Sequence, residues 1–296
     1  MSDGLVIVDK PADWTSHDVV GRVRRLAHTR RVGHAGTLDP MATGVLVLGV
    51  DRATRLLTYL TLTDKSYAAT IRIGQSTVTD DAQGDVVAAS SAAGVTEADV
   101  RAAMRPLTGD IMQVPSAVSA IKVDGQRAYK RVRSGEEVEL AARPVTVSRF
   151  EIVGFDRPSP DLFDVDVEVD CSSGTYVRAL ARDLGAALGV GAHLTRLRRT
   201  RVGPFTLDQA YPLDALAERS DPVTVPLADA VRATLPVREI DAAEERELSF
   251  GRSISAAGLD GTYAAFSSSG AVIALLRESM GRAKPVLVFA PAASPQ

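Results

Sequence analysis

From Phe163 to Cys171 the chain alternates without a break. Phe163, Val165, Val167, Val169 and Cys171 are apolar, and the residues between them, Asp164, Asp166, Glu168 and Asp170, are acidic. A period of two is that of a β-strand, with one face in a core and the other in water. A chain with such a segment must build a sheet that is covered on that face and open on the other, the usual state of antiparallel sheets. The same period predicts that Cys171, the only cysteine, points inward as inert packing. One cysteine excludes an internal disulfide and a cysteine-rich zinc site, and it fits a reducing cytosol.

Other elements follow from similar signals. Tyr67, Ala69, Ile71 and Ile73 alternate with Ala68, Thr70 and Arg72, so Tyr67 shares a face with core residues. Leu5 to Val8 and Val45 to Val50 read as strands, the second one buried. Thr15-Ser16-His17-Asp18 has the form of a capping box, with Val19, Val20, Val23 and Leu26 following at helical spacing. Thr96-Glu97-Ala98-Asp99 opens a second helix over Val100, Met104 and Leu107, which Gly109 is expected to end. Asp51 to Leu60 reads as a short helix. Ser172-Ser173-Gly174 turns the chain into another, with Val177, Leu180, Leu184 and Leu188 on one side and Gly189 at its end. Arg178 falls in its first turn, off the apolar stripe.

At 296 residues the chain has room for one large domain and a small one. Residues 212–236, rich in Pro, Asp and Ala, read as a connecting segment. Beyond them come a helix (Ala242 to Phe250) and short strands (Tyr263 to Phe266, Val272 to Leu276, Val286 to Phe289), which read as a small, mostly β module.

The stretch Gly33 to Gly44 is dense in Gly, Thr and Pro and reads as a tight, non-repetitive loop. Asp39 is its only carboxylate, and His34 lies five residues earlier. A lone carboxylate on a rigid loop, held by a core strand, is how an enzyme presents a nucleophile or a base. Taken alone, Asp39 reads as well as an aspartate closing an Asx-turn before Pro40.

Net charge is −3, which argues against coating nucleic acid through bulk charge but leaves room for local basic patches. Arginine and lysine crowd three runs: Arg22, Arg24, Arg25, Arg30 and Arg31; Arg127, Lys130, Arg131 and Arg133; Arg196, Arg198, Arg199 and Arg201. Each run alone reads as a solvated face. Together they suit phosphate contact, for which the guanidinium fork is shaped. The second run belongs to a charged excursion from Gln126 to Leu140, entered through the tight turn Asp124-Gly125.

Several chemistries lack their motifs. There is no phosphate-binding P-loop, no Gly-x-Gly-x-x-Gly after a strand, no Cys-x-x-Cys and no Gly-x-Ser-x-Gly elbow. His17, His28, His34 and His193 are not spaced for a metal. Neither a basic leader nor an apolar run of about 20 residues is present, so a cytoplasmic protein without membrane spans is expected. What remains is carboxylate chemistry beside arginine-rich surfaces.

Four segments, in order, resemble the signatures of the bacterial tRNA pseudouridine-55 synthase (TruB) family. They are Asp9-Lys10-Pro11, the loop Gly33 to Gly44, Cys171 to Arg178, and Gly191-Ala192-His193 running into Leu197-Arg198-Arg199. The resemblance implies an α+β pseudouridine synthase fold, with a largely antiparallel central sheet flanked by helices. It implies a catalytic domain over 1–235, carrying an RNA-gripping insertion at about 124–145, and a PUA-like C-terminal domain over 236–296. It implies detachment, rotation and rejoining of a flipped-out uracil in the T-arm loop of tRNA, without cofactor or metal. Asp39, Tyr67 and Arg178 match the family's catalytic positions, with Arg178 pairing Asp39 and keeping it ionised. His34, Tyr176 and Leu197 match positions around the base, Lys10 a supporting lysine, and Arg127, Lys130 and Arg131 the insertion that grips RNA. A monomer acting without a protein partner is expected. A guide-dependent, dyskerin-type synthase and a tRNA-folding factor without chemistry are the alternatives; the intact Asp39, Tyr67 and Arg178 argue against the latter.

Overall fold

The computed structural model describes residues 2–116 and 140–292, and the backbone of 122–123 and 126–127. In chain order its strands are β1 (Gly4–Lys10), β2 (Val32–Ala35), β3 (Thr43–Val50), β4 (Lys65–Ile73), β5 (Gln75–Thr77), β6 (Val86–Ala89), β7 (Gly109–Gln113), β8 (Lys122–Val123), β9 (Gln126–Arg127) and β10 (Arg143–Ser159). There follow β11 (Leu162–Cys171), β12 (Ala192–Val202), β13 (Phe205–Thr206), β14 (Val225–Pro226), β15 (Val237–Ile240), β16 (Ile254–Ser255), β17 (Thr262–Ser267), β18 (Val272–Ser279) and β19 (Arg282–Val288). The main sheet has the order β14-β1-β3-β12-β4-β11-β10-β7, with β2 also beside β3 and β13 beside β12. Its pairs are antiparallel except β3 with β12.

β11 keeps the alternation of its sequence, apolar side chains buried and acidic ones half-exposed. On the open face Arg72 of β4 grips Asp164 through two hydrogen bonds of 2.8 and 2.7 Å. The covered face packs against helices α1 (Ser16–Leu26), α3 (Glu97–Met104) and α4 (Val177–Leu188), α2 being the short Leu57–Thr61. Both capping boxes form: Thr15 with Asp18, and Thr96 with Asp99. Val19, Val20 and Val23 of α1 are buried, each contributing about 1.5–3 kcal/mol of apolar burial.

β1 and β3 carry continuous apolar runs instead of alternation, and the fold explains this. A second sheet, β15-β17-β18-β19-β16, covers their other face. Leu5, Ile7, Val45 and Val47 share one cluster with Ala264, Phe266, Leu275 and Phe289. Strands covered on both faces need no polar side. Arg52 and Arg55 tie the two sheets through bonds of 3.0 Å to the carbonyls of Phe289 and Val288.

Gly44 makes the parallel contact of β3 with β12. Its φ is +99°, and a Cβ there would lie 2.2 Å from the carbonyl oxygen of Arg199. Only glycine permits both the conformation and the approach.

Three expectations are corrected. The loop is shorter than Gly33 to Gly44: Gly33, His34 and Ala35 pair with Gly49, Leu48 and Val47, so it spans 36–42 as a hairpin connection. Glycine at 33 does not prevent pairing next to such an apolar strand. Residues 212–236 are not a mere connector; they form α5 (Leu213–Ala217), edge strand β14 and α6 (Leu227–Thr234), with Leu213, Leu216, Leu227 and Val231 buried. Short amphipathic helices among Pro and Asp escape a reading by composition. Gly109 opens β7 instead of ending α3, which passes through a 3-10 turn at Arg105–Leu107. The C-terminal module holds α7 (Ala242–Ser249) and its expected strands, with β15 and β16 in addition.

Candidate active site

A cleft of about 250 Å³ opens where the loop 36–42, β4, β12 and the N-terminus of α4 meet. Asp39, Tyr67, Tyr176, Arg178 and Leu197 all line it. Residues far apart in sequence thus meet at one place.

The loop that presents Asp39 is pinned on both sides of it. Ser16 Oγ donates to the carbonyl of Leu38 at 3.0 Å and accepts its N–H at 2.9 Å. Lys10 Nζ and the N–H of Asp13 both donate to the carbonyl of Pro40, at 3.1 and 2.8 Å. Arg178 reaches Asp39 with its fork: Nε to Oδ2 is 3.0 Å and Nη2 to Oδ1 is 3.2 Å. The guanidinium is itself buried, its Nη1 donating to the carbonyl of Thr79 at 2.9 Å and lying 3.7 Å from Asp81. It is therefore no surface arginine. Being off the apolar stripe points it across the helix start, toward the loop.

Burial pushes the Asp39 carboxyl above the ordinary carboxylate range, and the Arg178 guanidinium pulls it down. Both influences expected of a dry pocket are present, and desolvation is the larger. The bidentate contact nevertheless needs the carboxylate form, since both guanidinium N–H groups can only donate. Asp81, the carboxylate behind Arg178, accepts from Thr79 Oγ1 at 2.5 Å and from the N–H of Gln83 at 3.0 Å. In the sequence Asp81 is one carboxylate of the polar loop Thr77 to Gly84, with nothing to mark a role.

Gln113, also unnoticed, is buried at the end of β7 and clamps the residue before α4. Its Nε2 donates to the carbonyl of Tyr176 at 3.1 Å, and its Oε1 accepts the N–H of Tyr176 at 2.8 Å.

Arg199 stands directly across from Tyr67 in the β12–β4 register. It is 1% exposed, and it holds the loop from beneath. Nε donates to the carbonyl of Val45 at 2.7 Å, Nη2 to Gly36 at 3.1 Å and Nη1 to Thr37 at 3.4 Å. Burial raises the Tyr67 hydroxyl above its usual range, with Arg199 opposing. The signal for Arg199 was its place two residues from Leu197, on the same strand face. Arg199→Met would strand three main-chain carbonyls, and the expected cost is about 2–4 kcal/mol. Calorimetry should find a melting temperature lower by roughly 5–10 °C; an unchanged melting temperature would show that the loop is held without it.

Against expectation, the third arginine run is mostly engaged by partners within the protein, although only Arg199 is buried. Arg198 pairs bidentately with Asp9 at 3.0 and 2.7 Å, and Arg201 bonds Ser66 and the carbonyl of Gly203. Arg196 is exposed. Of the first run, Arg24, Arg25, Arg30 and Arg31 are exposed. The side chains of Arg127, Lys130, Arg131 and Arg133 lie outside the described residues, although Lys122 pairs with Arg127 and Val123 with Gln126 around Asp124-Gly125.

Lys10 is buried behind the loop instead of in the cleft, its ammonium given to the carbonyls of Pro11, Trp14 and Pro40. Burial lowers it to about 8. His34 sits half-buried on β2, edge-on to His17 at 5.8 Å, and does not line the cleft. Burial pushes the Cys171 thiol up to about 11, consistent with inert packing. Among the described residues no three His, Cys, Asp or Glu side chains group to hold a metal, and no helix is long and apolar enough to cross a membrane.

Comparisons with known proteins show the family. Residues 24–177 match the model of the TruB family pseudouridylate synthase (N terminal domain). Residues 178–232 match the tRNA pseudouridylate synthase B C-terminal domain, and 235–290 the tRNA Pseudouridine synthase II, C terminal. The chain is 62% identical to a tRNA pseudouridine synthase B of Arthrobacter sp. (strain FB24) over 302 residues, which covers 98% of each. It is 61% identical to that of Thermobifida fusca (strain YX), over 98% of this chain and 99% of the relative. Among solved structures, a chain of a Cbf5-Nop10-Gar1 complex superposes with a TM-score of 0.75 at 26% identity, over 97% of this chain and 85% of that one. Family models along nearly the whole chain, and relatives identical at three positions in five, place it in the TruB family of pseudouridine synthases.

Proposed function

We propose that this TruB-family enzyme converts uridine to pseudouridine at position 55, in the T-arm loop of tRNA. Asp39 is the nucleophile, Arg178 orients it, and Tyr67 stacks on the extruded base while Tyr176 and Leu197 wall the pocket. One observation carries the reading: Asp39, the only carboxylate lining the cleft among the described residues, is held bidentately by a buried arginine. The reaction is an isomerisation, so the chain's own residues suffice. A uracil inside a folded loop must first swing out, at a cost of a few kcal/mol that stacking and phosphate contacts offset. His34 would touch the RNA where the base has left, and Lys10 would support the loop.

In this reading residues 1–235 form the catalytic domain and 236–296 a PUA-like domain, and the protein acts as a monomer in the cytoplasm. High identity to tRNA pseudouridine synthases B over their whole length supports action without a guide RNA, against 26% identity to the chain from the Cbf5 complex. Incubating the purified chain with a bare T-arm hairpin tests this. Conversion is expected, and none would be seen if a guide or protein partner were required.

The insertion is proposed to grip phosphate through Arg127, Lys130, Arg131 and Arg133. Changing all four to Ala should weaken tRNA binding and lower the slope of log Kd against log salt by up to about 3. An unchanged slope would show that the insertion does not touch phosphate.

A further inference from the structure

Lys65 is a buried cation at the cleft that no carboxylate among the described residues pairs with. It opens β4, two residues before Tyr67 on the same face, is nearly buried and lines the cleft. Its ammonium donates to two main-chain carbonyls, Thr61 at 3.0 Å and Thr63 at 2.7 Å. Lys10, by contrast, gives a bond to each of three. Among the described residues no carboxylate lies within ion-pair distance of Lys65 or Arg199. The two cations meet beneath the loop: a Cβ on Gly36 would lie 3.5 Å from Lys65 Cε and 3.6 Å from Arg199 Nη1. Burial, and then the Arg199 charge, lower the Lys65 ammonium to about 8. A desolvated positive charge facing an open cleft, without an anion of its own, is costly unless an anion arrives there.

We infer that Lys65 is a catalytic residue, whose free N–H stabilises the negative charge that develops on the uracil ring. This rests on the proposed reaction. If Asp39 attacks the ribose, its oxygen bonds to C1′ as the C1′–N1 bond breaks, and that bond's electron pair leaves on the base, shared by N1, O2 and O4. If it attacks the base, its oxygen bonds to C6, the C5–C6 π pair moves through C4 to O4, and the C1′–N1 bond then breaks with its pair left on N1. Either way the carboxylate's charge passes to the uracil. It returns to Asp39 when C5 joins C1′ and the carboxylate is released, while C5 loses a proton and N1 gains one. A donor fixed in a dry cleft, aimed at the charge that develops, is the arrangement that lowers such a barrier.

The test compares wild type with Lys65→Met, which keeps the apolar stem, and Lys65→Arg, which keeps the charge, on T-arm hairpins carrying uridine or 5-fluorouridine. Fluorine withdraws electrons and stabilises the ring anion by itself. Lys65→Met is expected to slow single-turnover loss of uridine ~100-fold, with Kd within about threefold of wild type. Lys65→Arg should recover part of the rate, and the Lys65→Met defect should shrink at least about fivefold on 5-fluorouridine, as the substrate supplies what the enzyme lost. An unchanged saturated rate, or an equal defect on both substrates, would overturn the inference. So would a loss confined to Kd and its salt slope, which would mark Lys65 as a phosphate contact. Failure of wild type on the uridine hairpin would instead overturn the proposed function.

Discussion

Asp39→Asn should abolish pseudouridine formation while leaving tRNA binding almost untouched. The expected loss in single-turnover rate is at least about 1,000-fold, because a carboxamide has the shape of the carboxylate but not its nucleophilic charge. Affinity should stay within about threefold, since phosphate contacts made elsewhere supply most of it. The variant should also fold. A carboxyl raised above its unfolded value contributes its full stability below the unfolded pKa, and that contribution is lost as pH rises through the folded one. At neutral pH the ionised group therefore opposes folding, and its replacement removes that opposition. Arg178 keeps the carbonyl of Thr79 and the neighbouring Asp81, so it is not stranded. Rate loss accompanied by unfolding, or turnover near wild type, would remove Asp39 from its role.

Arg178→Met should fail in a different way, visible in pH. In the wild type the guanidinium is the main influence holding the Asp39 carboxyl down against burial. Without it the carboxyl must rise further. The reactive form is ionised, so the acid limb of the rate profile should move to higher pH. At neutral pH the rate should fall on the order of 100-fold, part of it from the lost orientation of the carboxylate. Raising the pH should recover the part due to protonation. Arg178→Lys should fall between, because an ammonium restores charge but not the two-point grip. A Met variant whose pH profile overlays that of the wild type would show that Arg178 does not set the state of Asp39.

Local signals were legible in the sequence wherever one residue's neighbours along the chain decide its fate. The alternation of β11, the boxes at Thr15 and Thr96 and the inward thiol of Cys171 are of this kind. The cleft residues Asp39, Tyr176, Arg178 and Leu197 were legible through the motifs that carry them, and Tyr67 through its strand alternation and its match to a family position. Burial of charge was not. Arg196, Arg198, Arg199 and Arg201 look alike in sequence, yet Arg199 is buried while Arg196 is exposed. The difference arises from the parallel contact of β12 with β3 at Gly44, a long-range pairing with no local period. Lys65 left one clue, a spacing of two from Tyr67, whereas Arg199 also stood in the segment Leu197-Arg198-Arg199. Gln113 left none, because its partner is a main-chain amide sixty-three residues away.

The most direct test is position-resolved mapping of pseudouridine in an unmodified tRNA transcript, incubated with the chain alone and with its Asp39→Asn variant. One new pseudouridine, at position 55, should form with the first and be missing with the second. Modification at another uridine, or at 55 with both proteins, would contradict the account.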